Sequence, residues 1–166
     1  VMEEVLGLAC KDLEFYTAKT IATHGANVIV SRTGYTGEDG FEIYGPHEFI
    51  VEQWDKLMAS KRCVPCGLGC RDTLRFEVGL PLYGDELSNE ISPVMAGFGD
   101  DVVKDGVKVG EVTTGYHCIS VDKSVCMALV DSQYAKLGNE LEIQIRKKTF
   151  PGTVVKKRFY DKHYKK

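Results

Sequence analysis

The chain changes its hydrophobic rhythm part-way along. Val1 to Leu8 reads as a helix or loop, and Lys11 to Lys19 as a loop leading into a strand that continues through Thr20 to Thr23. His24-Gly25 then reads as a turn, and Ala26 to Arg32 is apolar enough for a mostly buried strand. Phe41-Glu42-Ile43-Tyr44 alternates over a short distance. From Glu48, the apolar residues Phe49, Ile50, Trp54, Leu57 and Met58 recur at helical spacing, which predicts an amphipathic helix to about Ser60 with Trp54 in the core. Pro46 stands where a first turn tolerates proline. A second helix is expected over Cys70 to Val78, with Leu74 and Val78 on one face and Gly79 ending it.

Leu80 to Gly99 is rich in Gly, Pro, Ser and Asn and reads as an irregular connection. From Lys104 the pattern is all β. Val107 to Thr114, Ser124 to Val130, Glu140 to Arg146 and Gly152 to Phe159 are strand-sized, punctuated by Gly138-Asn139 and Pro151-Gly152. Leu141, Ile143 and Ile145 alternate with Glu142 and Gln144, as in a half-exposed strand. The expected fold class is α+β: a mixed α/β portion over 1–100, then a small antiparallel β-barrel or jelly-roll-like module over 101–166.

The chemistry concentrates between the first strands. Ser31 to Tyr44 carries glycines at 34, 37 and 40, an Asp39-Gly40 turn pair, and Arg32, Tyr35, Glu38, Asp39 and Glu42. A decorated β-hairpin would account for the glycines. It would not need a guanidinium, a phenol and carboxylates crowded at one turn, whereas a loop gripping a polar ligand would.

Arg71 lies in the first turn of its helix, where the dipole disfavours a cation, so an anionic partner is expected. Arg75, one turn further on, and Glu77 read as surface or bracing charges. Cys63, Cys66 and Cys70 are spaced by three and four residues, which invites a metal reading. A closed site needs a fourth ligand, and Cys118 and Cys126 are remote in sequence, so buried thiols and no metal are expected.

Bulk properties narrow the classes. At 166 residues, 43% hydrophobic and 27% charged, the chain has an ordinary globular composition. A net charge of −3 gives no general attraction to nucleic acid or an acidic membrane. The basic end, from Lys156 to Lys166, reads as a solvated tail. No run approaches the ~20 apolar residues of a spanning helix, and the start lacks a signal-peptide pattern. Six cysteines are too few for a disulfide scaffold, so a reducing cytoplasm is the expected setting.

Three ordered segments carry a resemblance. Arg32-Thr33-Gly34-Tyr35-Thr36-Gly37-Glu38-Asp39-Gly40-Phe41-Glu42-Ile43 resembles the signature of the glycine cleavage system T-protein family, folate-dependent aminomethyltransferases. The segment from Gly67-Leu68-Gly69-Cys70-Arg71-Asp72 through Arg75-Phe76-Glu77-Val78-Gly79 to Gly84 agrees, and Gly110-Glu111-Val112-Thr113-Thr114-Gly115 is similar to a C-terminal family motif.

The resemblance implies that Glu42 and Arg71 contact the folate, joined by Tyr164, which follows Phe159 at the family's spacing, and by Tyr35. It implies transfer of a methylene unit from the aminomethyl-lipoyl arm of H-protein to tetrahydrofolate, with release of ammonia and no metal. It implies the cytoplasm, or the mitochondrial matrix in a eukaryote. Family members are longer: an N-terminal half with the catalytic aspartate lacks a counterpart here, so no catalytic residue is assigned and a second chain supplying that half is a possible partner. A further family segment is skipped between Phe98 and Asp105, leaving the β module short of strands with an exposed edge. Two alternatives stand beside this: a non-catalytic folate- or partner-binding fragment, and another folate-dependent member of the superfamily such as a demethylase.

Overall fold

The computed structural model describes residues 1–87 and 100–161. Two compact units divide these residues, Val1–Arg71 and Asp72–Asp161.

In the first unit, helix α1 (Met2–Leu6) is followed by a three-stranded antiparallel sheet of β1 (Ala18–Thr23), β2 (Ala26–Ser31) and β3 (Glu42–Tyr44), in that spatial order. The His24-Gly25 turn joins β1 to β2, and Gly25 has φ +97, a conformation that glycine adopts without a Cβ clash. Val28 and Val30 point inward from β2 and are fully buried against Leu6, Leu8, Cys10 and Leu13. Burial of each such side chain contributes roughly 1.5–3 kcal/mol. Ile29, between them, faces outward, the period-two pattern of a sheet with one covered face.

Helix α2 (His47–Ser60) starts after Pro46 and ends at Lys61, which is left-handed with φ 54. Its inward stripe is Phe49, Gln53 and Leu57, spaced by four. Trp54 lies one residue round from that stripe and is 52% exposed, so it is not the core residue its apolar spacing suggested. Helix α3 (Leu68–Glu77) begins two residues before the expected start, and Gly79 (φ +69) follows it.

The second unit is an antiparallel five-stranded sheet in the order β6-β5-β4-β7-β8, curled into half a barrel with β6 and β8 at its edges. The strands are β4 (Asp101–Lys104), β5 (Val107–Cys118), β6 (Lys123–Val130), β7 (Glu140–Ile145) and β8 (Lys148–Thr153). Val102, Val109, Val112 and Leu141 form its buried cluster.

Two strand expectations are corrected here. Pro151-Gly152 does not break the chain: both lie inside β8, opposite Glu142 and Leu141, and the strand ends where one was expected to run on to Phe159. Proline is tolerated because β8 is an edge strand. The turn is instead Arg146-Lys147, with Arg146 at φ 57. β4, too short to register as a run, pairs with β5 through Asp105-Gly106, both at positive φ, a favoured hairpin dipeptide. Ser88 to Gly99, within the expected irregular connection, lies outside the described residues.

Candidate functional site

The glycine-rich stretch forms a long loop, 32–41, between β2 and β3, closed at its foot by the pairing of Ser31 with Glu42. Its root is tied down. The Arg32 guanidinium grips Asp39 with two parallel bonds, Nε to Oδ1 at 2.8 Å and Nη2 to Oδ2 at 2.9 Å, and donates from Nη1 to the Leu13 carbonyl at 2.8 Å. The same guanidinium sits 5.7 Å from the Phe41 ring centroid. Asp39 therefore works across the loop as a clamp for Arg32.

The hydrogen bonds from Arg32 hold the Asp39 carboxyl below the usual carboxylate range, outweighing the opposing effect of burial. A lowered folded-state pKa means that the clamp is complete above the ordinary aspartate value of ~3.9 and opens as pH falls through the lower one. The Arg32 Nε–H resonance is expected to titrate with an apparent pKa below ~3.9 and to lose that transition in Asp39→Asn. A transition at or above the free-aspartate value would show that the clamp does not persist in solution.

Glu42 stands at the foot of this loop. The Thr33 hydroxyl donates to Glu42 Oε2, so the 2.8 Å contact between Ser31 Oγ and Thr33 Oγ1 is donated by Ser31. A relay of two hydroxyls thus orients the carboxylate, which is half-buried. Thr33 was not singled out from the sequence. The available signal was the alternation Ser31-x-Thr33 beside a candidate carboxylate.

Tyr35, at the loop's crown, meets Arg71. The Arg71 Cζ lies 4.5 Å from the Tyr35 ring centroid, a cation–π stack worth about 0.5–1 kcal/mol at an exposed site. Arg71 is in the opening turn of α3, its N–H bonded to the Gly67 carbonyl at 3.1 Å. The partner that offsets its unfavourable place on the helix dipole is thus the π face of Tyr35, where an anion was expected. Tyr164 lies outside the described residues. The structure therefore joins Tyr35 to Arg71 and puts Glu42 at the base of Tyr35's own loop.

In the second unit, a buried ionic cluster occupies positions that read as surface or bracing charges. Arg75 is 0% exposed and Glu77 4%. Arg75 donates to Asp72 at 2.6 Å, to Glu86 at 2.8 Å and to the Leu80 carbonyl at 3.1 Å. Burial would lower the Arg75 pKa, but the bonds to Asp72 and Glu86 outweigh it and raise it. Glu86 also accepts from the Leu82 N–H at 2.8 Å, from Thr113 at 3.1 Å and from Thr114. Tyr116 donates to Asp72, and that hydrogen bond, with burial and the Asp72 charge behind it, raises the phenol's pKa. Glu77 accepts from the N–H and hydroxyl of Ser120 at 3.0 and 2.5 Å. Of the two readings, these are bracing charges and not surface ones.

Cys66 and Cys70 are exposed, not buried as expected, and Cys63 is half-buried. Among the described residues no group of three or more His, Cys, Asp or Glu is arranged to hold a metal ion.

The family model of the GCVT N-terminal domain matches residues 1–119. The chain belongs to the glycine cleavage T-protein family. The model of the glycine cleavage T-protein C-terminal barrel domain matches residues 85–161.

Among curated relatives, the aminomethyltransferase of Thermoanaerobacter pseudethanolicus is 41% identical, the match covering 92% of this chain and 54% of the relative. That of Lysinibacillus sphaericus is 42% identical over 88% of this chain and 52% of its own length. The crystal structure of glycine cleavage system aminomethyltransferase T from Bartonella henselae superposes with a TM-score of 0.82 at 24% identity, covering 93% of this chain and 55% of that one. The chain thus spans about half the length of the family relatives it matches. Against the aminomethyltransferase of Thermoanaerobacter sp. X514, the alignment runs over 212 positions and takes in all 166 residues here, so that relative carries residues with no counterpart in this chain.

Proposed function

We propose that this chain supplies the Glu42–Tyr35–Arg71 part of a tetrahydrofolate site in an aminomethyltransferase of the glycine cleavage system. The observation that carries the reading is the long β2–β3 loop, which presents an oriented carboxylate at its foot and an aromatic–guanidinium stack at its crown. A pterin offers a ring N–H and an amino group side by side, a fork that the Glu42 carboxylate satisfies with two parallel bonds. The flat ring suits the Tyr35 wall, and the carboxylates of the folate tail suit Arg71.

In this reading the aminomethyl group arrives on the lipoyl arm of H-protein, the folate takes its methylene carbon, and ammonia leaves. The chain's contribution is positioning and electrostatic support of the folate. No carboxylate of this chain is assigned as the catalytic base; a chain providing the rest of the family's length would complete the enzyme.

Calorimetric titration with tetrahydrofolate tests the assignment. Arg71→Ala and Glu42→Gln are each expected to weaken binding about tenfold, the loss of roughly 1.4 kcal/mol of charge-assisted bonding, with the circular dichroism spectrum unchanged. If both variants bind as tightly as the parent, these residues do not hold the folate. Product analysis with lipoylated H-protein then separates aminomethyl transfer from a demethylase reaction.

A further inference from the structure

Strand β6 runs along one rim of the half-barrel, paired to β5 on its inner side. Its contacts fix which of its backbone groups are already used. The Asp131 N–H donates to the Val109 carbonyl at 2.9 Å, the Met127 carbonyl accepts from the Thr113 hydroxyl at 3.2 Å, and the Leu129 carbonyl oxygen lies against Gly110. The N–H and C=O of one strand residue point the same way, and the direction alternates along the strand. The odd-numbered residues therefore serve β5. Ser124, Cys126, Ala128 and Val130 turn their N–H and C=O groups to the open side, where none of the described residues pairs with them.

The other rim is protected. Just past β8, the Val154 N–H donates to the Asn139 carbonyl at 2.9 Å, so the even-numbered residues there face β7 and Thr149, Pro151 and Thr153 face outward. The middle of that outward row is a proline, which has no N–H to offer. Lys148 adds a charge at the start of β8, a further obstacle to strand addition. β6 contains no proline, and the irregularity near Thr113 lies on β5, not on β6.

We propose that β6 pairs antiparallel with β6 of a second copy of this chain, joining two half-barrels edge to edge. A two-fold axis beside Met127 sets Ser124 opposite Val130 and Cys126 opposite Ala128 of the second copy, each pair exchanging two N–H···O=C bonds. Between these, Val125 meets Leu129, Met127 meets its own counterpart, and Lys123 meets Asp131. Both charged residues are exposed, and the Asp131 side chain makes no bond to the short 3₁₀ helix, Ser132–Tyr134, that it precedes. An ammonium and a carboxylate thus meet at each end of the seam. That self-complementarity is what selects a second copy as the occupant.

The register is constrained as well. Outward groups must meet outward groups, so each pairing can move only in steps of two. One step sets Lys123 against Leu129 and Asp122 against Val130; the opposite step sets Asp131 against Val125. Either loses both charge pairs. In the favoured register, Cys126, Ala128 and Val130, which pack on the apolar cluster of Val102, Val109, Val112 and Leu141, continue that face from one copy into the next.

Sedimentation of the intact chain over a range of concentrations, with amide hydrogen exchange on the same samples, tests the pairing. The parent is expected to dimerise, and exchange at Ser124, Cys126, Ala128 and Val130 should slow on the order of tenfold from dilute to concentrated samples. Thr149 and Thr153 should not respond. Lys123→Asp brings two carboxylates together at each end and should raise the dimer dissociation constant on the order of tenfold. Adding Asp131→Lys reverses both charges and should restore the parent value. Ala128→Pro removes an outward N–H while leaving the bonds to β5, and should give a monomer. If that variant does not fold, the charge swap at two exposed positions decides alone. A parent that stays monomeric up to about 100 μM overturns the proposal. With the four amides slow, another segment of the same chain covers β6; with them fast, the edge serves a different chain. A dimer indifferent to both charge variants, or one that slows Thr149 and Thr153 instead, uses another surface and equally refutes it.

Discussion

Glu86→Ala is expected to cost the β-rich unit about 3 kcal/mol, the low end of what removing one partner from a buried ion pair costs. Arg75 has no exposed surface to turn to, and the loss of Glu86 also strands the Leu82 N–H and the Thr114 hydroxyl, whereas the Thr113 hydroxyl keeps the Met127 carbonyl at 3.2 Å. The low end applies because Asp72 stays on Nε at 2.6 Å and Asp85 lies 3.5 Å from Nη2. For a unit of this size the drop in Tm is on the order of 15 °C.

The pH dependence has a definite sign. Burial pushes Glu86 up, but hydrogen bonds from Thr114, the Leu82 N–H and Arg75 outweigh it and hold the carboxyl below its usual range. Its stabilisation is therefore complete above the unfolded glutamate value of ~4.3 and disappears as pH falls through the lower folded value. Thermal unfolding followed by circular dichroism should show a steeper acid loss in the parent than in Glu86→Gln. A Glu86→Ala protein within 1 kcal/mol of the parent, by the same measure, would mean that solvent enters the cluster.

Arg75 also shows where reading the chain stops short. The helix bearing it was legible from Leu74, Val78 and the terminating Gly79, but an arginine beside an aspartate and a glutamate on a short helix looks like any solvated face. Its burial depends on Glu86, eleven positions away, brought back by the turn after Gly79. No local pattern announces a pairing of that kind. The β2–β3 loop was legible for the opposite reason: its glycines, its clamp partners and Glu42 all lie within one short stretch, so local chemistry and tertiary contact coincide. The Arg71–Tyr35 stack falls between these cases. The helix dipole showed that Arg71 needed compensation, yet an aromatic face thirty-six residues earlier supplies it. Trp54 was misplaced because apolar character alone does not say which of two adjacent residues faces inward; the stripe passes through polar Gln53 instead.

Strand β5 carries an internal comparison that separates two uses of glycine. At Gly110 a Cβ would lie 2.2 Å from the Leu129 carbonyl oxygen and 2.8 Å from the Val130 Cα, both backbone atoms of the neighbouring β6. Gly110 pairs with Val130 on one side and Val102 on the other, next to the register shift between Val102 and Val103, so the strand is held from both sides and cannot slide away. Gly110→Ala should cost about 3 kcal/mol, the upper part of the usual overpacking range, because backbone must move rather than a side chain. At Gly115, five residues along the same strand, the nearest atom to an added Cβ is the Cys126 Cβ at 3.6 Å, an ordinary contact. Gly115→Ala should be neutral or slightly stabilising, since alanine loses less backbone freedom on entering a strand. Parallel urea unfolding of the two variants tests the pair. Equal costs would mean that the backbones at Gly110 stand further apart in solution, and that its glycine answers to strand flexibility instead of close approach.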